Sequence, residues 1–129
     1  MGQGVGKVTR INCISVSELN NKMLLAEYRE LPRISAQAKV TTAPLNYVLG
    51  SGHVKFFYDK GEFLRKRFEE QIMPELIHRG FKIQFTKYRM HPAGLNNDWI
   101  PSPRDMEINR DRIEQRLSES RNKKLSLLK

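Results

Sequence analysis

Glu30 stands between Arg29 and Arg33, near the end of an amphipathic stretch. It is the acid best placed in this chain to do chemistry. At one helical turn apart the two arginines repel by roughly 0.2–0.5 kcal/mol unless something anionic lies between them. The plainer reading is a solvated helix end in which Glu30 pairs with Arg33. The sharper reading is a carboxylate that takes part in a reaction while the arginines hold an external anion. The chain as a whole carries 23 Lys and Arg against 14 Asp and Glu, a formal charge of +9 over 129 residues. That balance favours a polyanionic partner, and nucleic acid is the economical choice. A membrane surface is the competing anion, but there is no run of about 18 apolar residues to span one. The first residues also lack the apolar core of a signal peptide. A soluble, cytoplasmic protein is expected. No acidic cluster around Glu30 has metal-ligand spacing, and the single cysteine, Cys13, has no Cys or His at such a spacing. Neither a metal nor another cofactor is expected, and Cys13 reads as a small core residue.

The elements that must position Glu30 are helical. A chain of this length is one domain that buries roughly two thirds of its extended surface. The expected class is mainly α, a single compact domain of three principal helices with long connecting loops. Ser15 and Glu18 have the spacing of a capping box, which predicts that the first helix starts there. Leu19, Met23 and Ala26, with Leu24, Tyr28 and Leu31, give it a broad apolar face. Pro32 is expected to kink this helix, with ISAQAK continuing beyond it. Lys39 to Pro44 reads as a loop, and Gly50, Ser51 and Gly52 as a tight turn into a structural His53.

The second helix is expected from Asp59, which repeats the capping-box spacing with Glu62. Leu64, Phe68 and Ile72 form its stripe, Pro74 interrupts it and Gly80 ends it. Arg65, Lys66 and Arg67 are successive and fan around the helix, so they cannot all reach one strand of nucleic acid. Phe81 to Tyr88 reads as a short extended piece. Met90 to Pro103 reads as a long loop around Trp99, a core plug. The third helix is expected over Asp105 to Arg121, with Arg112 and Arg116 on one face, followed by a basic tail over 122–129.

TRIN, AEYRELPR, LGSGHVKFFYDKGEFLRKR, RGF and WIP together resemble the pyrimidine-dimer DNA glycosylases of the phage endonuclease V type. The similarity runs from Thr9 to about Arg121. It implies a mainly helical, monomeric enzyme acting on double-stranded DNA that contains pyrimidine dimers or abasic sites, removing the dimer and then nicking the strand. By residue-by-residue match, the family's catalytic N-terminal threonine and helix glutamate fall on Thr9 and Glu30. Its DNA-binding basic residues fall on Arg10, Arg29, Arg33, Arg112 and Arg116. Met23 stands where the phage relative has a histidine, the loop after Lys39 is shorter, and the tail lacks that relative's terminal aromatic cluster. A non-catalytic DNA-binding protein on the same scaffold is the alternative.

The chemistry implied needs an amine that forms an imine at the sugar C1′, which then permits β-elimination. A lysine with a pKa near 10.4 is mostly protonated at neutral pH, whereas an α-amine at about 7.7–8.0 is substantially neutral. Thr9, however, is preceded by eight residues. Residues 1–8 read as a disordered, glycine-rich leader absent from the active form. Val8 can be a GTG start, and Gln3 to Val5 can be encoded by CAA GGA GTN, which contains the purine run of a ribosome-binding site. The expected domain is therefore 9–121, beginning at Thr9.

Overall fold

The computed structural model describes residues 11–127. The expected leader over 1–8 lies outside these residues, as do Thr9 and Arg10. The class is mainly α as expected, with three principal helical runs, long loops and no strand among the described residues. Contacts divide the chain into two units. One contains Ile11 and Ser15–Trp99, the other Asn12–Ile14 and residues 100–127.

The first helical run opens at Asn20, not at Ser15. The Asn20 Oδ1 accepts from the Met23 N–H at 2.8 Å and caps α1, Asn21–Glu30. Ser15 instead caps a single 3₁₀ turn, Val16–Glu18, accepting from the Ser17 N–H at 3.3 Å. Leu19 is extended, with φ −92° and ψ 139°, so the helical path from Ser15 breaks before it can propagate. After Glu30 the run tightens into a 3₁₀ turn, Leu31–Arg33, and continues as α2, Ile34–Gln37. Pro32 sits in the first turn of that 3₁₀ segment, and its lack of an N–H goes with the change from the α to the tighter 3₁₀ path. It modifies the helix without ending it, as the sequence suggests. The buried face carries Leu24, Tyr28, Leu31 and Ile34, and with them the charged Glu27.

After α3, His53–Phe56, the second run comprises α4, Gly61–Lys66, a π-helical segment, Arg67–Ile72, and α5, Met73–His78. Pro74 does not interrupt it. A proline crowds the turn before it, and here that turn is π-helical, a wider path that admits the ring. Nor does Asp59 cap the run. Its carboxylate takes the Lys60 ammonium at 3.0 Å, while Glu62 is drawn to Arg65 at 2.9 Å. The free N–H groups of Gly61 and Phe63 are met by the carbonyls of Leu95 and Asn97, at 3.0 and 3.3 Å, so no side-chain cap is needed. Gly61 is required there because Asn96 and His91 occupy the space a side chain would take.

The expected extended piece at Phe81 to Tyr88 forms no ladder. Side chains take part of its backbone instead. The Tyr28 hydroxyl accepts from the N–H groups of Gln84 and Phe85, at 3.0 and 2.6 Å, and donates to the Phe85 carbonyl at 3.0 Å. Glu69 accepts from the Tyr88 N–H at 2.7 Å. Trp99 is the plug expected, its ring against those of Tyr47, Phe56, Phe57 and Phe63 at centroid distances of 4.9–5.8 Å.

In the other unit, α6 spans Pro103–Leu127 and so continues into the segment expected as tail. It opens on a reciprocal cap between Ser102 and Asp105. Ser102 Oγ accepts from the Asp105 N–H at 3.1 Å, and Asp105 accepts from the Ser102 N–H at 2.9 Å. Fully buried Asn109 accepts from the Cys13 N–H at 2.7 Å and donates to Asn12 Oδ1 at 2.8 Å. Cys13 is buried, as expected.

Candidate functional site

Glu30 is the last residue of α1, and its side chain is 30% exposed. Its Oε1 takes Arg33 Nη1 at 3.3 Å, while the Arg33 side chain remains 67% exposed. The pairing anticipated from sequence is therefore present, and its contact is long and solvent-accessible, of a kind worth between zero and about 1 kcal/mol. An anion arriving at Arg33 does not have to break a strong bond. Arg29 lies exposed on the same final turn, where the helix dipole favours cations.

One turn earlier on the same helix, Glu27 makes the opposite kind of pair. Arg67 grips it with two parallel bonds, Nε to Oε2 at 2.9 Å and Nη2 to Oε1 at 3.1 Å, with both side chains at least 98% buried. Arg67 Nη1 also reaches Gln71 Oε1 at 3.3 Å. The basic run at residues 65–67 is thus committed inward or to carboxylates. Arg65 holds Glu62 bidentately at 2.9 Å and reaches Glu70 at 3.1 Å, and Lys66 holds Asp98 at 2.6 Å. The hydrogen bond from Arg65 holds the Glu62 carboxyl below its usual range, and that from Lys66 does the same for Asp98.

The segment leading back towards Thr9 is held at Ile11. Its N–H donates to His53 Nε2 at 2.8 Å, and its carbonyl accepts from the Tyr47 hydroxyl at 3.1 Å. His53 is buried, and its Nδ1 donates to the Val48 carbonyl at 2.7 Å, which fixes the tautomer in which Nε2 is the acceptor. The turn ahead of it uses two left-handed glycines, Gly50 at φ 79° and Gly52 at φ 85°. Gly52 also packs against Pro44 too closely for a side chain. The turn thus sets His53 at the head of α3, and the histidine is hydrogen-bonded through both ring nitrogens, as the sequence suggests. The grip on Ile11 has no signature in the sequence, because it pairs residues 42 positions apart.

In the second unit, Arg112 and Arg116 lie one turn apart on α6. Arg116 is exposed. Arg112 Nη1 reaches Gln115 at 3.4 Å, while its buried Nε has no hydrogen-bond partner among the described residues. Among the described residues no group of three or more His, Cys, Asp or Glu is arranged to hold a metal ion. No helix among them is long and apolar enough to cross a membrane.

A mainly helical, strongly basic protein suits a polyanionic partner such as nucleic acid. The family itself is shown by sequence: residues 8–89, well over half of the chain, match the pyrimidine dimer DNA glycosylases. This chain belongs to that family, and it is a DNA-repair protein whose substrate is DNA.

Proposed function

We propose that the chain excises cyclobutane pyrimidine dimers and then cleaves the strand, with the α-amine of Thr9 as nucleophile and Glu30 as the proton-handling acid. The observation that carries this reading is Glu30 itself, a carboxylate left 30% exposed between arginines at the end of α1. Because duplex stacking shields C1′, the DNA has to kink and extrude a nucleotide, at a cost of a few kcal/mol that is lower at a damaged step. Arg10, Arg29 and Arg33, with Arg112 and Arg116, bind phosphates in the kinked duplex through charge-assisted bonds.

The Thr9 nitrogen forms a bond to C1′ as the C1′–base bond breaks and its electron pair leaves with the base. Loss of the amine proton and opening of the sugar give an imine. Its electron-withdrawing carbon acidifies C2′–H, and removal of that proton expels the 3′ phosphate by β-elimination. Glu30 assists these proton transfers. Water then hydrolyses the imine and restores the amine. The active form must present Thr9 as its first residue, because only an α-amine is both close to neutral at physiological pH and available on a threonine.

The test is borohydride trapping on a dimer-containing duplex with two forms of the protein, one starting at Met1 and one at Met followed by Thr9. A covalent adduct with the second form alone, mapped to the Thr9 amine, is expected. Trapping by a full-length chain that keeps its leader, or by neither form, would overturn the reading.

A further inference from the structure

We infer that His53 is a positioning residue for imine formation, acting through the backbone of Ile11 and with the help of Tyr47; the inference rests on the proposed role of Thr9. Thr9 is only two residues before Ile11, so whatever fixes the Ile11 peptide limits where the amine can be. Ile11 is itself fully buried, and side chains hold both of its hydrogen-bonding groups: its N–H goes to His53 Nε2 at 2.8 Å, and its carbonyl takes the Tyr47 hydroxyl at 3.1 Å.

The two side chains brace each other. Their rings meet edge to face at a centroid distance of 5.6 Å, and the His53 ring also meets Phe57 at 5.5 Å. His53 is locked from behind by its Nδ1 bond to Val48 at 2.7 Å, which leaves Nε2 as an acceptor. The Gly50 and Gly52 turn delivers the histidine to that position at the head of α3.

This arrangement is more than is needed to fill a core. An apolar ring at 53 would keep the packing, but only an acceptor aimed at Ile11 holds its N–H, and with it the peptide that joins Ile11 to the residue before it. For a nucleophile whose productive geometry is narrow, a displacement of about 1 Å costs on the order of a hundredfold in rate. A terminal amine is aimed by whatever holds the backbone that follows it. The imidazole and phenol supply that constraint from the body of the protein.

The experiment uses the form that begins at Thr9 and a duplex carrying one preformed abasic site, so that base excision is bypassed. Single-turnover trapping rate at saturating protein, DNA affinity and thermal stability are measured for His53→Phe, His53→Gln and Tyr47→Phe. Phenylalanine at 53 keeps the ring contacts and removes the acceptor. Glutamine keeps an acceptor. Trapping by His53→Phe is expected to slow on the order of tenfold or more while affinity for the duplex stays within about twofold. His53→Gln should recover much of the loss, and Tyr47→Phe should slow trapping several-fold.

A purely structural histidine would instead lower stability in both position-53 variants and leave the trapping rate of the folded protein unchanged, which would overturn the inference. If neither position-53 variant folds, Tyr47→Phe decides: an unchanged rate refutes the grip and a slowed rate with intact binding supports it. Failure of the unsubstituted form to trap, or an adduct mapped away from Thr9, would refute the Thr9 reading itself and is distinguishable from either result.

Discussion

Glu27 and Glu30 lie one turn apart on α1 and illustrate opposite uses of the same functional group. Glu27 faces the interior and is gripped at both oxygens by Arg67, with 1% of its side chain exposed. Glu30 faces outward, 30% exposed, with Arg33 at 3.3 Å. A buried pair in good geometry offsets its desolvation only while both members are present. A surface pair contributes little and can be given up when another anion arrives. The helix therefore separates a fully buried carboxylate from a partly exposed one, and the separation comes from which face each occupies.

The largest effect expected from breaking this contrast is on stability. Arg67→Ala leaves Glu27 buried without its guanidinium, and a loss of about 3–5 kcal/mol is expected, read from thermal or denaturant unfolding. Arg33→Ala should change stability by less than about 1 kcal/mol. Similar losses for the two variants would remove the distinction between the pairs.

DNA binding comes next in size. Arg33→Ala and Arg116→Ala should each weaken damaged and undamaged duplex alike and lower the slope of log affinity against log salt by roughly one counterion. An unchanged slope would assign that arginine to the fold.

The smallest effect concerns acid. Hydrogen bonds from Arg65 and Lys66 hold Glu62 and Asp98 below the usual carboxylate range. A carboxyl depressed on folding contributes stability that is present above its unfolded pKa and lost as pH falls through the folded one. The window is thus below about pH 4. With Asp98 45% and Glu62 29% exposed, solvent screens both pairs and the contribution is modest, so Asp98→Asn should slightly flatten the acid limb of an unfolding-midpoint profile. An unaltered limb would show that the pair with Lys66 is fully screened.

The helical class, the three runs and the Glu30–Arg33 pair were legible because each depends on local periodicity or on neighbours one turn apart. Helix starts were less legible. Ser15 and Asp59 both have capping-box spacing, yet Asn20 caps the first run and loop carbonyls from residues 95 and 97 serve the second. A cap is only one way to satisfy free N–H groups, and distant backbone can do it as well. The Glu27–Arg67 pair did leave a trace: each charge interrupts an apolar stripe, between Leu24 and Leu31 in one helix and between Leu64 and Phe68 in the other. The grip on Ile11 left none, since nothing in residues 47 and 53 points to a backbone some forty positions away. Thr9 and Arg10 lie outside the described residues, and the roles proposed for them come from resemblance and chemical requirement.

The role of Glu30 is tested most directly by Glu30→Gln in the form that begins at Thr9, comparing the single-turnover rate of dimer excision with affinity for the same damaged duplex. The substitution keeps size and a hydrogen-bonding oxygen and removes the ability to take a proton. The expected result is loss of most of the excision rate with binding held within a few-fold and the unfolding midpoint nearly unchanged. A near-normal excision rate would contradict a chemical role and reduce Glu30 to a surface partner of Arg33.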